Sequence, residues 1–300
     1  MRVDGKQLAE AFLNDLTLLV QSLKEKNIVP HLVVMLVGND PASEAYVRQK
    51  QLKGEAIGMM VSVKRYEASV TTEQLLKEIT AYNNDPLVHG IIVQQPLPQH
   101  IDASLLIAAT NQQKDVDGFQ KDSAFTPPIA EGVEEILKFI FHEIASLRPA
   151  STQRDEQAQG KLPRNDNEFL SWLQSKNVVI IGKGETGGMP IIQKMQKLGV
   201  TPSIIDSKTA DPVALKKQAD IIISCVGKPR VVAAEEIKKG VILLSIGMFR
   251  AEDGKLHGDY EEGEIKGVAS YYTPVPGGVG PMNVAMLLRN VIEAAGINRG

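Results

Sequence analysis

Asn177-Val178-Val179-Ile180-Ile181-Gly182-Lys183-Gly184-Glu185-Thr186-Gly187 decides the fold. Four β-branched residues in a row read as a strand buried on both faces, which is why no alternation shows. The glycines that follow have G-x-G-x-x-G spacing, and residues 190–198 continue with helical periodicity. A plain tight turn uses the same glycines but needs neither a strand before it nor a helix after it. Between those flanks the glycines let the backbone approach a pyrophosphate, which rests on the helix N-terminus. The next strand, Ser203-Ile204-Ile205, ends in Asp206. That is about twenty residues beyond the glycines, where an acidic side chain binds a ribose diol. Further strands at 221–225 and 241–246 make this half an α/β dinucleotide-binding domain.

Working back towards the N-terminus, the same alternation recurs. Residues 6–25 have helical apolar spacing, and Leu32-Val33-Val34-Met35-Leu36-Val37 reads as a second fully buried parallel strand. It stops at Gly38. Asp40 then stands at an N-cap position, with Pro41 where its missing N–H costs nothing. A helix starting there puts Ser43, Tyr46 and Lys50 on one face, at i, i+3 and i+7. That face opens at the carboxyl end of a parallel strand, where open α/β sheets bind ligands. An aromatic ring and an amine one turn apart suit a site that stacks a flat substrate and moves a proton. A solvated lysine and a half-buried tyrosine on an amphipathic helix fit the same spacing.

Residues 61–66 alternate as a strand, Thr71-Thr72-Glu73-Gln74 starts a helix that ends before Asp85-Pro86, and Gly90-Ile91-Ile92-Val93-Gln94 is a third strand. Gln94 emerges at the same edge as Gly38. There it can bond an amine or a substrate amide, or cap the Pro96-Leu97-Pro98 turn. Asp115-Val116-Asp117-Gly118-Phe119 offers two carboxylates before a turn glycine, and a turn aspartate is usually only that. A helix spans 129–142. Residues 148–168 carry few apolar side chains and read as a polar linker, with a helix from Glu168 to Ser175. Near the end, Tyr272-Thr273-Pro274-Val275-Pro276-Gly277-Gly278-Val279-Gly280-Pro281-Met282-Asn283 reads as a rigid loop whose backbone can approach a flat ligand. A closing helix at 284–295 is placed to pack back on the first domain.

The totals exclude several classes. Three hundred residues suffice for two cores, and the net charge of -3 with few aromatics leaves no basic, stacking surface for nucleic acid. The single Cys225 excludes an internal disulfide and fits a reducing compartment; inside a buried strand it reads as core. The five histidines have no metal-ligand spacing, so no metal is expected. No apolar run reaches the ~18 residues of a membrane span, and Met1-Arg2-Val3-Asp4-Gly5 has no signal-peptide core. A cytoplasmic chain is expected.

Taken together, these stretches resemble the bifunctional methylenetetrahydrofolate dehydrogenase/methenyltetrahydrofolate cyclohydrolase family. The resemblance rests on Pro41-Ala42-Ser43-Glu44-Ala45-Tyr46-Val47-Arg48-Gln49-Lys50, on Gly90 to Pro98, and on Lys114-Asp115-Val116-Asp117-Gly118-Phe119. It continues through Val226-Gly227-Lys228-Pro229, Gly258-Asp259 and Thr273 to Met282, in family order. It implies two three-layer α/β/α domains, the second of Rossmann type. The folate-binding catalytic domain would comprise 1–147 with the C-terminal helix 282–300, and the NAD(P)-binding domain 169–281. It further implies oxidation of methylene-tetrahydrofolate, hydrolysis of the methenyl product, a homodimer, and a place in one-carbon metabolism and purine biosynthesis. Lys50 would be the general acid/base, Gln94 would hold and tune it, and Tyr46 would stack on the folate. Asp117 would bond the pterin amino edge, Ser43 would join the folate site, and Pro276, Gly277 and Gly278 would line the cleft near the nicotinamide. The coenzyme would lie on Gly182, Lys183, Gly184, Gly187, Asp206, Ser207, Gly227 and Asn283.

Some positions depart from the family pattern. The family's phosphate loop reads Gly-Arg-Ser, its arginine gripping the 2′-phosphate of NADP; Lys183-Gly184 stands here, a point charge without the bidentate fork. Asp206 replaces the histidine of a His-Ser pair, of which Ser207 remains. A carboxylate ~5 Å from a 2′-phosphate repels it. NADP is the family default; Asp206 and the Lys183-Gly184 change favour NAD. Asn283 for threonine, Phe125 for cysteine and Gln120 after Gly-Phe are further changes, none removing a proton-transfer residue. They leave two alternatives: an NAD-dependent dehydrogenase without hydrolysis, and a non-catalytic folate- or dinucleotide-binding paralogue.

Overall fold

The computed structural model describes residues 1–146 and 166–297. The polar linker expected at 148–168 lies, up to residue 165, outside the described residues. The described chain divides into two compact units, each with its own parallel sheet.

The three-stranded unit comprises Gln7–Pro128 and Met282–Gly300. Its elements are α1 (Gly5–Glu25, all but its first two residues), β1 (His31–Val37), α2 (Pro41–Ala56), β2 (Met60–Tyr66), α3 (Thr72–Asn84), β3 (Gly90–Val93) and α4 (Ala103–Ala109). The strand order is β2-β1-β3, all parallel, with Leu32 opposite Val61 and Gly90. Six of the seven β1 residues are buried because both faces are covered. Val33, Met35 and Val37 pack against Leu75 and Ile79 of α3 and Leu106 of α4. On the other face, Gly54 of α2 lies against Val61 and Leu288 with no room for a Cβ. The central strand therefore has no solvent-facing row to give it a period of two.

The five-stranded unit comprises Met1–Lys6 and Ile129–Pro281. It holds α5 (Pro128–Ser146, from its second residue), α6 (Asp166–Gln174), β4 (Val178–Ile181), α7 (Gly188–Lys197), β5 (Ser203–Ile205), α8 (Pro212–Gln218), β6 (Ile221–Ser224), β7 (Ile242–Ser245), β8 (Met248–Arg250), β9 (Leu256–Gly258), α9 (Glu262–Ile265) and β10 (Tyr271–Tyr272). The parallel order is β10-β7-β6-β4-β5, and β8 and β9 form a separate antiparallel hairpin. Every residue of β4, β6 and β7 is buried. A cluster including Val179, Ile222, Leu243 and Tyr260 forms the core on one side.

Several boundaries differ from the sequence reading. The compact units part at Pro128 and Ile129, so α5 sits with the five-stranded unit, whereas the expected boundary was residue 147. The last helix, α10 (Val279–Ile297), begins five residues before the expected 284. Pro281 falls in its first turn, where a missing N–H breaks no helical bond. Helices α4 and α8 are each only seven residues long, too short to give a periodic signal in the sequence. No described helix is long and apolar enough to cross a membrane.

Candidate active site

Helix α2 begins as its sequence dictates. Asp40 accepts from the Ser43 amide at 2.8 Å, and Pro41 occupies the first turn. This places Ser43, Val47 and Lys50 on the buried face. Tyr46 is half-buried beside them, and burial raises its hydroxyl pKa. Lys50 is only 7% exposed, and its Nζ donates to Gln94 Oε1 at 3.0 Å. Gln94 is placed by the β3 ladder, its amide donating to Met35 O, while its Nε2 donates to Gln95 O at 2.7 Å. It thus bonds an amine and fastens the turn at once. Ser43 Oγ lies 3.5 Å from the same Gln95 carbonyl.

Asp117 reaches this group from the segment beside β3, which is held by the bond from Ile91 N to Lys114 O. Of the two aspartates, Asp115 is the turn residue, accepting from the Gln120 amide at 2.9 Å. Burial raises the Asp117 pKa, opposed by the Lys50 charge and reinforced by Asp115. Burial lowers the Lys50 pKa, opposed by Asp117. Both shifts favour neutral forms, the condition for moving a proton near neutrality. Two anchors went unseen in the sequence. Asn290 of α10 is 2% exposed and donates to Val116 O at 2.9 Å and Thr126 O at 3.1 Å. Lys114 is as buried as Lys50, but its Nζ donates to the carbonyls of Tyr82, Asn83 and Asp85, closing the end of α3. An apolar neighbourhood and a long sequence separation hide such roles.

In the five-stranded unit, Gly182 turns the chain with φ +87°, and its amide donates to Ile205 O. At Gly184 a Cβ would meet nothing within 4 Å, leaving open space over the loop. The close-packing glycine is Gly188, where a Cβ would overlap Gly182 O; the spacing had pointed to Gly187, which is the N-cap of α7. No side chain caps α7, but the Met189 amide donates to Gly184 O at 3.0 Å and Pro190 has no N–H, so the first turn offers an anion the Gly188 amide beside the open space at Gly184. The loop thus fits a dinucleotide phosphate.

Lys183 Nζ lies 2.8 Å from Asp206 Oδ2. That pair, then the Lys208 amide, holds the Asp206 carboxyl below its usual range. Ser207 is exposed beside it, and Gly227, φ +73°, follows β6. Pro276, Gly277 and Gly278 belong to this unit too, and Gly278 packs against Pro274 and Gly5. Asn283 is half-buried in the part of α10 that belongs to the three-stranded unit. Cys225 lies just past β6 rather than in it, its thiol pKa pushed up to about 12 by burial. A cavity of about 560 Å³ adjoins β9 and α9; of the expected site residues only Pro276 lines it.

Residues 3–117 match the tetrahydrofolate dehydrogenase/cyclohydrolase catalytic domain, and residues 167–299 match that family's NAD(P)-binding domain. The bifunctional protein FolD of Acidovorax sp. is 37% identical over 294 residues, covering 98% of this chain and 97% of that protein. The chain belongs to the tetrahydrofolate dehydrogenase/cyclohydrolase family. Among solved structures, the bifunctional FolD of Campylobacter jejuni is similar with a TM-score of 0.85 and 35% identity, covering 99% of this chain and 98% of that one. The FolD of Trypanosoma brucei, complexed with NADP and an inhibitor, has a TM-score of 0.83 and 27% identity, covering 99% of this chain and 97% of that one. The family assignment joins the buried lysine and the glycine loop in one enzyme.

Proposed function

We propose that this enzyme oxidises 5,10-methylenetetrahydrofolate to the methenyl form with NAD(P)+ and hydrolyses that product to 10-formyltetrahydrofolate. Family membership and the buried Lys50–Gln94 pair beside Asp117 support this reading. We assign folate binding to the three-stranded unit and coenzyme binding to the five-stranded one. Asp117 bonds the pterin amino edge, Tyr46 stacks on and orients the ring, and Ser43 lines the site. The Pro276-Gly277-Gly278 backbone lines the nicotinamide side. Gly182, Lys183, Gly184, Gly187, Asp206, Ser207 and Gly227 of that five-stranded unit hold the coenzyme, which when bound would supply a hydride acceptor for the one-carbon unit. Water then adds to the methenyl carbon while Lys50 takes a proton from it. Lys50 returns that proton to the leaving ring nitrogen as its carbon–nitrogen bond breaks and the added hydroxyl gives up its remaining proton to solvent, leaving the formyl group on the other nitrogen. Gln94 aims the amine through both transfers. A purely binding relative would not need that lysine–glutamine pair.

For the coenzyme we infer a preference for NAD. Asp206 stands where the ribose diol would bind, and Lys183 is already committed to it. A 2′-phosphate must draw Lys183 away and still face the carboxylate. The T. brucei relative is complexed with NADP; the inferred preference of this chain for NAD rests on its own Lys183–Asp206 pair. Purified protein with methylenetetrahydrofolate, supplied with NAD or NADP and followed at the methenyl and reduced-nicotinamide bands, tests both readings. Hydride transfer with neither coenzyme would refute the function, and faster turnover with NADP would refute the preference. We further place the enzyme in the cytoplasm as a homodimer in one-carbon metabolism and purine biosynthesis; light scattering tests the assembly.

A further inference from the structure

Among the described residues, Asp259 is the most completely buried acidic residue in the five-stranded unit, with 0% exposure, and the folate chemistry makes no use of it. Its carboxylate is fully engaged. Oδ2 accepts from Ser224 Oγ at 2.6 Å and from the Val226 amide at 3.0 Å. Oδ1 accepts from the amides of Gly227 at 2.7 Å and Lys228 at 3.0 Å. Three successive amides turned onto one anion form a nest, the arrangement that elsewhere binds a phosphate. Here the chain supplies its own anion, so the loop after β6 has one shape.

Two other observations give that shape a purpose. The loop lies against the glycine loop: a Cβ on Gly182 would come within 3.1 Å of Cys225 O and 3.3 Å of the Val226 side chain. Val226 itself is 36% exposed, an apolar side chain held out at the strand edge where a coenzyme ring or ribose would cover it. Behind the nest, the Asp259 amide donates to Ser245 Oγ, and the Ser245 amide donates to Thr273 Oγ1. Next in the chain, the Tyr260 hydroxyl donates to Thr273 O at 2.7 Å. Gly247 closes the other side, since a Cβ there would overlap both Gly227 N and the Asp259 carboxylate.

We infer that Asp259 is a positioning residue of the coenzyme site: it sets the Val226–Lys228 loop at the height the bound dinucleotide requires and ties that loop to the Thr273–Pro276 turn. The inference rests on the coenzyme lying along the glycine loop. Asp259→Asn keeps the volume but turns an amide NH2 onto groups that donate. The hydrolytic half-reaction needs no coenzyme and serves as an internal control. In Asp259→Asn the KM for the nicotinamide coenzyme should rise about ten- to a hundredfold, while hydrolysis of methenyltetrahydrofolate stays within about twofold. Ser224→Ala, which removes one of the four bonds, should shift the coenzyme KM the same way but less. If Asp259→Asn does not fold, Ser224→Ala decides alone. An unchanged coenzyme KM in the folded variants, or equal loss of both activities, would overturn the inference. Lys183→Ala separates the premises: if it weakens the coenzyme and Asp259→Asn does not, only the role of Asp259 fails. If neither variant does, the coenzyme's placement fails with it.

Discussion

Lys50 and Lys183 stand at the carboxyl edges of two parallel sheets, and water treats them differently. Lys50 is 7% exposed, with Gln94 as its acceptor and a carboxylate nearby. The Lys183 side chain is 57% exposed and pairs with a carboxylate only 25% exposed. At the first edge desolvation is the largest cause of both shifts, moving the amine down and the acid up. At the second, an ion pair and an amide dominate, and burial is a minor opposing influence. Removing a charge from water changes what a group can do; pairing it in water changes only which neighbour it prefers. Under the proposed function, the first edge moves protons and the second selects the coenzyme.

Lys50→Met tests the first edge most severely. Hydrolysis of methenyltetrahydrofolate should fall by at least about a thousandfold while folate still binds, read by turnover and by calorimetric titration. Hydrolysis at the same rate would remove the lysine from the mechanism. The pH profile sharpens the point. Because burial lowers the Lys50 pKa, the rising limb of hydrolysis should lie below the ordinary lysine value of about 10.4. Asp117→Asn removes the charge that opposes this shift, so the limb should move to still lower pH; a limb that stays put would deny the coupling.

At the second edge a smaller effect is expected. Asp206→Ser should raise kcat/KM for NADP relative to NAD by about three- to tenfold, and added salt should shrink that change. A ratio indifferent to the substitution would show that Asp206 does not sense the 2′ position.

The weakest expected effect concerns stability. His89 accepts from the His31 amide at 3.1 Å through Nδ1, which requires that nitrogen to be unprotonated. Burial lowers the His89 pKa in the fold. Its contribution to stability is therefore complete above the unfolded value of about 6.5 and is lost as pH falls through the lower folded value. Urea midpoints should decline over that range, and His89→Gln should flatten the decline.

What could be read beforehand depended on how local each signal is. Asp40-Pro41 announced α2, and Asp211-Pro212 begins α8 in the same way, with Asp211 accepting from the Ala214 amide. Asp85-Pro86, the same dipeptide, instead ends α3. The dipeptide alone cannot tell a start from a stop; the residues after it must, and seven-residue helices leave too few. Gln94 illustrates a different limit. Its two readings, partner of an amine and fastener of a turn, were both open and both are met, because an amide has two ends. Lys50 stands out in the sequence by its helix face, but nothing there shows that Lys114 is equally buried. Each is 7% exposed, yet one faces a glutamine and an acid while the other is surrounded by three carbonyls.

From the sequence alone come the parallel α/β class, the helix carrying Ser43, Tyr46 and Lys50, and the glycine loop after β4. These depend on hydrophobic period, capping residues and turn chemistry within some dozen neighbouring positions. The tertiary structure decided that Lys50 is out of water beside Gln94 and Asp117, that Lys183 is tied to Asp206, and that Asp259 fills a nest of amides. The reason is that desolvation and charge pairing depend on distance in space. Residues 44 positions apart for Lys50 and Gln94, and 33 apart for Asp259 and Val226, are brought together only by the folded chain.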